Sequence, residues 1–303
     1  MLPDFPADHQ ELILAEPLIT VGIPTYNRHQ SLRRTLECIT GQTYQNLEII
    51  VSDNCSDGQD TETLVREFMK KDRRIQYFRW DSHQGPYINF NFILGKSTSE
   101  YFMWAADDDE WEPQFISRLL VFLLQNPDVS VVMSGVTRIF DNGRKRDVTR
   151  FREQSRSNYN QFRLAFFAAG HTEITFYIYG LYRTNILKKF SANLDNSFAK
   201  DVIVICEMVL SVKFGYVDEL LHIQHIHSKN TSERYSGEEI GKTYGDPLNY
   251  LKLFVGFGSH MLRSSNIPVK HKLWIPFIMI RLGIWIGWNY MYLIKQIIIV
   301  KHI

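Results

Sequence analysis

Three adjacent carboxylates, Asp107-Asp108-Asp109, follow the apolar run Tyr101–Ala106. Like charges so close repel one another and call for a counter-charge. A hard divalent cation that also bridges phosphate oxygens answers that need, so Mg²⁺ or Mn²⁺ with a diphosphate is one ligand that suits the triplet. A solvated acidic loop, with Asp109 capping the next helix, suits it equally. Asp53 closes a strand-like run and precedes a turn, so its carboxylate can accept from a ribose or a nucleobase, or can close an Asx-turn on its own backbone. Asp201 heads a helical pattern, as a cap or as a general base. His222, His225 and His227 fall in a strand-like segment, which places His225 and His227 on one side and His222 on the other. One of them can serve as a metal ligand, but the run has neither the geometry of a three-histidine zinc site nor the helical HExxH spacing.

These residues need elements to position them. Short β-rich runs alternate with helical patterns over residues 17–133. Strands are expected at 17–24, 47–52, 75–80, 101–106 and 129–133. Helices carry Leu32, Leu36 and Ile39, then Leu64, Val65 and Phe68, then Ile116 to Leu124. Strands joined by crossover helices imply a mostly parallel twisted α/β sheet, Rossmann-like and flanked by helices, with ligands beyond the carboxyl ends of the strands. Asp141-Asn142-Gly143 predicts a hairpin between 136–140 and 148–151. Beyond it the pattern predicts a helix over 159–169, a strand over 176–182, a helix from Asp201 and a strand over 217–226.

Composition excludes several classes. The chain has 303 residues, 45% of them hydrophobic and 14% aromatic, too apolar for a disordered protein. A net charge of +1 creates no field for nucleic acid. Three cysteines without CxxC spacing argue against a disulfide scaffold or a structural zinc site. The N-terminal segment has no basic region before a long apolar run, so a cytoplasmic protein is expected. No GxGxxG, GxxxxGK[ST] or GxSxG is present, which leaves dinucleotide, P-loop and hydrolase readings without their motifs. Charge is unevenly placed: residues 1–262 hold 28 basic against 33 acidic residues, whereas 263–303 hold six basic and none acidic. The tail 273–300 is nearly all apolar, with three tryptophans and two tyrosines. It is long enough to span a bilayer, but Arg281 near its middle would cost about 2.5–3.5 kcal/mol. Basic flanks and aromatics favour a helix or helical hairpin lying on the membrane surface, the alternative being a buried tail.

Taken in order, the motifs resemble a family 2 glycosyltransferase of the GT-A fold. Val21-Gly22-Ile23-Pro24-Thr25-Tyr26-Asn27-Arg28 is similar to the family's first-strand signature, and Glu48 through Gly58 to its second. Gly85 through Asn91 and Tyr101 through Pro113 resemble the segment before the fourth strand and the metal motif with its W-x-P. The resemblance covers roughly residues 17–230. It implies that Pro24, Tyr26 and Asp53 hold the nucleotide, with Asp53 on the base, and that Asp107 and Asp108 serve the nucleotide beside Asp109 as metal ligand. Ala106 stands where the family has its first aspartate, and Lys200 replaces an acidic neighbour of Asp201. The resemblance makes Asp201 the catalytic base and His227 a further metal ligand.

The implied activity is an inverting, metal-dependent transfer, of the hexosyltransferase type, from a nucleotide-sugar donor to a glycan or glycolipid acceptor in bacterial surface-polysaccharide synthesis. The cofactor is a divalent cation, Mn²⁺ or Mg²⁺. The partners are donor, acceptor and a membrane surface, with no nucleic acid, and the location is cytoplasmic and peripheral at the inner face of the cell membrane. The catalytic domain is expected over 1–230, and a C-terminal helical, membrane-associating extension over 231–303. A GT-A-like nucleotidyltransferase lacks its Gly-rich, Arg-bearing loop near Pro24. A non-catalytic nucleotide-sugar-binding protein requires that Asp201 not serve as the base.

Overall fold

The computed structural model describes residues 16–148, 172–191, 200–227 and 247–300. The first half alternates as expected: β1 (Ile19–Thr25), α1 (His29–Thr40), β2 (Leu47–Asp53), α2 (Asp60–Lys71), β3 (Ile75–Arg79), α3 (Pro86–Lys96) and β4 (Tyr101–Trp104). Then come β5 (Glu110–Trp111), α4 (Phe115–Gln125), β6 (Val129–Phe140), β7 (Lys145–Val148), a 3₁₀ turn (Thr172–Tyr179), β8 (Leu181–Arg183) and α5 (Thr184–Ser191). The chain continues through α6 (Lys200–Ser211), β9 (Lys213–Ile226), α7 (Pro247–Arg263), α8 (Val269–Lys272) and α9 (Ile275–Val300).

The sheet order is β3-β2-β1-β4-β8-β6-β9-β5, with β7 on β6. All pairings among β3, β2, β1 and β4 are parallel. Beyond β4 the sheet is mixed, because β8 runs antiparallel to both β4 and β6 while β9 runs parallel to β6. β1 is buried along its whole length, as a parallel strand covered on both faces must be. Leu32, Leu36 and Ile39 form the buried stripe of α1. At Gly22 a Cβ would stand 2.4 Å from Ile93 Cγ2, so α3 packs directly on the β1 backbone.

Several local expectations are corrected. The strand expected over 176–182 is the end of a 3₁₀ turn followed by the short β8; Gly180 N–H closes on Tyr177 O at 3.0 Å, and Phe176 and Tyr177 are buried side by side rather than alternating. The strand at 129–133 and the first hairpin strand are one element, β6, with irregular register against β9 at Gly135. The hairpin itself pairs Val136 with Val148. The helix expected over 159–169 lies outside the described residues.

The chain divides into two compact units. The first holds the sheet and α1 to α5; the second holds α6 to α9. Within the second, Glu207 of α6 is buried and accepts from Asn266 Nδ2 (3.1 Å) and Ser264 Oγ (2.5 Å), with His260 Nε2 of α7 at 2.7 Å. α7 and α9 approach closely where Gly258 meets the Met279 side chain. Among the described residues no helix is long and apolar enough to cross a membrane.

Candidate active site

The polar residues gather where β1, β2 and β4 end. Asn27, in the left-handed region at φ 56°, turns the chain from β1 into α1. Its Nδ2 donates to Asp57 Oδ2 at 2.9 Å, and the Asp57 N–H donates to its Oδ1 at 2.7 Å. The loops after β1 and β2 are thereby tied to each other. Pro24 is buried in register with Ser52. Tyr26 is half-buried, with its ring edge to His83 at 4.6 Å.

Asp53 is fully buried at the end of β2. Its Oδ1 accepts the Ser56 N–H at 2.8 Å, and its Oδ2 accepts the Tyr77 hydroxyl at 2.8 Å. The first bond is the local side-chain turn that the sequence left as one of two readings. Burial, and then the Asp53 carboxylate, push the Tyr77 phenol well above its ordinary value.

In the acidic turn, Asp107 Oδ2 accepts the Thr25 hydroxyl at 2.8 Å, and Oδ1 accepts Arg28 Nη1 at 2.8 Å. The same nitrogen donates to Asp108 Oδ2 at 2.9 Å. One guanidinium thus offsets much of the repulsion between two of the three carboxylates. Burial pushes the Asp107 carboxyl above its ordinary value, against the pull of Arg28 and the Thr25 hydrogen bond. Asp109 is 2% exposed, lies 3.0 Å from His222 Nε2, and accepts the His225 backbone N–H at 3.1 Å. A carboxylate only accepts, which assigns the proton to His222 Nε2. The His222 ring is buried and stacked on Trp111 at 5.2 Å, and among the described residues its Nδ1 has no hydrogen-bond partner. Thr35 of α1 donates to the Ala106 and Asp109 carbonyls at 3.1 and 3.0 Å.

These carboxylates fit a hard divalent cation by donor type, since Mg²⁺ and Mn²⁺ take one or two carboxylates and complete their shell with phosphate and water. Asp108 is the most open of the three. Among the described residues no three metal-ligating side chains form a ready-made cage. The structure therefore brings together Pro24, Tyr26, Asp53, Asp107, Asp108 and Asp109 in the first unit. His227 follows β9 and is assigned to the second unit. Asp201 is the second residue of α6, and its side chain lies outside the described residues. Sequence reasoning gave no role to Arg28, and took His222 only as one of three histidines that can ligate a metal, not as the donor to Asp109. Arg28 stands inside the first-strand motif, yet its partners are 79 and 80 positions away, and nothing local in the sequence announces them.

Residues 20–191 match the family described as Glycosyl transferase family 2. The chain is 36% identical over 127 residues to the Campylobacter jejuni GalNAc(5)-diNAcBac-PP-undecaprenol beta-1,3-glucosyltransferase, covering 42% of this chain and 38% of that one. It is 31% identical over 110 residues to an uncharacterized glycosyltransferase of Haemophilus influenzae, covering 36% and 44%. The matched segment thus spans less than half the length of either relative. Among solved structures, S. aureus TarS 1-349 in complex with UDP-GlcNAc superposes with a TM-score of 0.66 at 17% identity, covering 87% of this chain and 72% of that one. The Pyrobaculum calidifontis mannosyltransferase PcManGT, in complex with GDP-Man and Mn²⁺, gives a TM-score of 0.61 at 17% identity, covering 92% and 73%. These likenesses show a shared GT-A fold. With the family match extending over more than half of its length, the chain belongs to glycosyl transferase family 2.

Proposed function

We propose that the chain is an inverting hexosyltransferase that moves a sugar from a nucleotide-diphosphate donor to a hydroxyl of a lipid-linked or membrane-bound glycan. It would act in surface-polysaccharide synthesis at the cytosolic face of the membrane. The observation that carries this reading is the placement of Asp107 to Asp109, with Arg28 and Asp53, beyond the carboxyl ends of parallel strands. The undecaprenol in the Campylobacter relative's name supports a lipid-linked acceptor, and the nucleotide sugars bound by the two solved structures support the donor class.

In this reading Pro24, Tyr26 and Asp53 form the wall against the nucleoside, and Asp107 lies toward the ribose. A divalent cation at Asp108 and Asp109 would supply charge neutralisation of the diphosphate. Asp108 offers the accessible edge, Asp109 is held behind it by His222 and the His225 N–H, and His227 is a further ligand. Asp201 takes the proton from the acceptor hydroxyl as its oxygen attacks the anomeric carbon. The sugar–phosphate C–O bond breaks with its electron pair leaving on the diphosphate, so one base on the acceptor side suffices. The second, C-terminal domain, 231–303, is assigned to the membrane.

The test measures nucleotide release across a panel of nucleotide sugars with a lipid-linked acceptor, with and without chelator. Asp201→Asn is expected to retain donor binding by thermal shift and to lose turnover by about 10²–10⁴-fold. Asp108→Asn is expected to lose the cation requirement together with most turnover. Undiminished turnover by Asp201→Asn would remove the base assignment, and chelator-insensitive turnover would remove the cation.

A further inference from the structure

The second unit displays exposed apolar side chains along α7 and α9. On α7, Leu253, Phe257 and Met261 are buried, whereas Leu251, Val255 and Leu262 are 58, 60 and 56% exposed. On α9, Ile275, Ile278 and Leu282 are buried, whereas Phe277, Ile280 and Ile284 are 56, 62 and 47% exposed. Advancing about 100° per residue, each exposed stripe lies across its helix from the buried stripe. The lateral contacts, Gly258 with Met279 and Gly283 with Phe254, fall between the two stripes on each helix. The exposed stripes therefore share one side of the pair. The link between the helices adds Val269 and Leu273, at 82 and 73%.

Charge accompanies this face in a regular way. Leu251-Lys252, Leu262-Arg263 and Val269-Lys270 each set a cation next to an exposed apolar residue, and residues 247–303 contain no aspartate or glutamate. Scattered exposed leucines are ordinary, but a contiguous apolar face with a purely basic rim is not. Two copies packed face to face would bring these cations together with no acidic residue in the segment to pair them. An anionic lipid surface answers both features, taking the apolar side chains among the acyl chains and the cations among the phosphates.

We propose that the α7–α9 face, through Leu251, Val255, Leu262, Phe277, Ile280 and Ile284, docks on an anionic bilayer. This gives a surface to the membrane reading made under the proposed function. It also assigns a task to Glu207, whose bonds to His260 of α7 and to Ser264 and Asn266 just after it fix α6, the helix that carries Asp201 as its second residue, to the docking helix. The helix that bears the proposed base and the lipid-facing pair then move as one body toward a lipid-borne acceptor.

The test is co-sedimentation of the full chain with vesicles of phosphatidylcholine alone or mixed equally with phosphatidylglycerol, without donor or acceptor. A failed transferase assay therefore leaves its outcome intact. Binding is expected to be about tenfold or more tighter on the anionic vesicles and to weaken at high salt. Lys252→Gln with Lys270→Gln should cost about fivefold per charge. Leu251→Ser with Ile280→Ser should abolish binding while leaving the thermal melt unchanged, since both positions are exposed. Equal binding to the two vesicles, or binding indifferent to both pairs of substitutions, would overturn the proposal. So would self-association, without vesicle binding, that the Leu251→Ser and Ile280→Ser pair removes, because the face would then belong to a second copy.

Discussion

Replacing Arg28 by glutamine would leave Asp107 and Asp108 without the nitrogen that both of them accept from. The pair is only 20 and 8% exposed at Arg28 and Asp107, so the loss is expected to cost about 3 kcal/mol. Added Mn²⁺ should restore part of the melting temperature in Arg28→Gln, since a cation can supply the missing charge. A melt indifferent to Mn²⁺ would argue against a cation sharing this turn. His222→Phe keeps a ring stacked on Trp111 but leaves Asp109 without its buried donor. It should lower stability by about 1–3 kcal/mol, read in denaturant melts, and weaken any cation effect on the same melts. The repulsion among the three aspartates was legible in the sequence as a need for a counter-charge, with a cation site and a solvated loop both open. Their protein partners were not, because Thr25, Arg28 and His222 come from loops and strands that only the folded sheet brings together.

The elements divide by how plainly they carry periodicity. α1, α2 and α4 were legible because their apolar residues recur at the period of one face, and β1 and β2 because short apolar runs end in polar turns. α3 is apolar around much of its circumference, with Phe90, Phe92, Ile93 and Leu94 in succession around Asn91, and offers no stripe to read. α7 interrupts its apolar positions with Gly256 and Gly258, which weaken a helical reading although Gly258 is the point of closest approach to α9. Substitution separates two kinds of closeness. Gly22→Ala would drive a methyl group into buried Ile93 and is expected to cost about 1–3 kcal/mol. Gly258→Ala meets only the flexible tip of Met279 and gains helix propensity, so its melt should be unchanged or slightly raised. The junction of α6 and α7 has a pH signature. Burial pushes Glu207 up, but the bonds from His260 and Ser264 outweigh it and hold the carboxyl below its ordinary value. A depressed carboxyl contributes stability above its unfolded value, and this is lost as pH falls through the folded one. Denaturant melts should therefore show wild type losing stability on the acid side, while Glu207→Gln starts lower at neutral pH and changes less.

At the scale of the molecule, the acceptor's physical state should decide the rate. With a lipid-linked acceptor in anionic vesicles, Leu251→Ser with Ile280→Ser should slow transfer by about tenfold, whereas a short water-soluble acceptor should be used equally well by variant and wild type. Equal slowing on both acceptors would place the defect in the chemistry rather than in the encounter. The proposed reading puts the donor-binding residues in the sheet-bearing unit and the lipid-facing surface in the helical one. The acidic turn itself is held from several directions before any donor arrives: Thr35 grips two of its carbonyls, Arg28 two of its carboxylates, and β9 the third. A loop fixed in this way has little conformational entropy left to lose. Calorimetric titration with nucleoside diphosphate should accordingly show a smaller entropic penalty for wild type than for Thr35→Val, in which two of the turn's carbonyls lose their donor and the loop is less firmly held before binding.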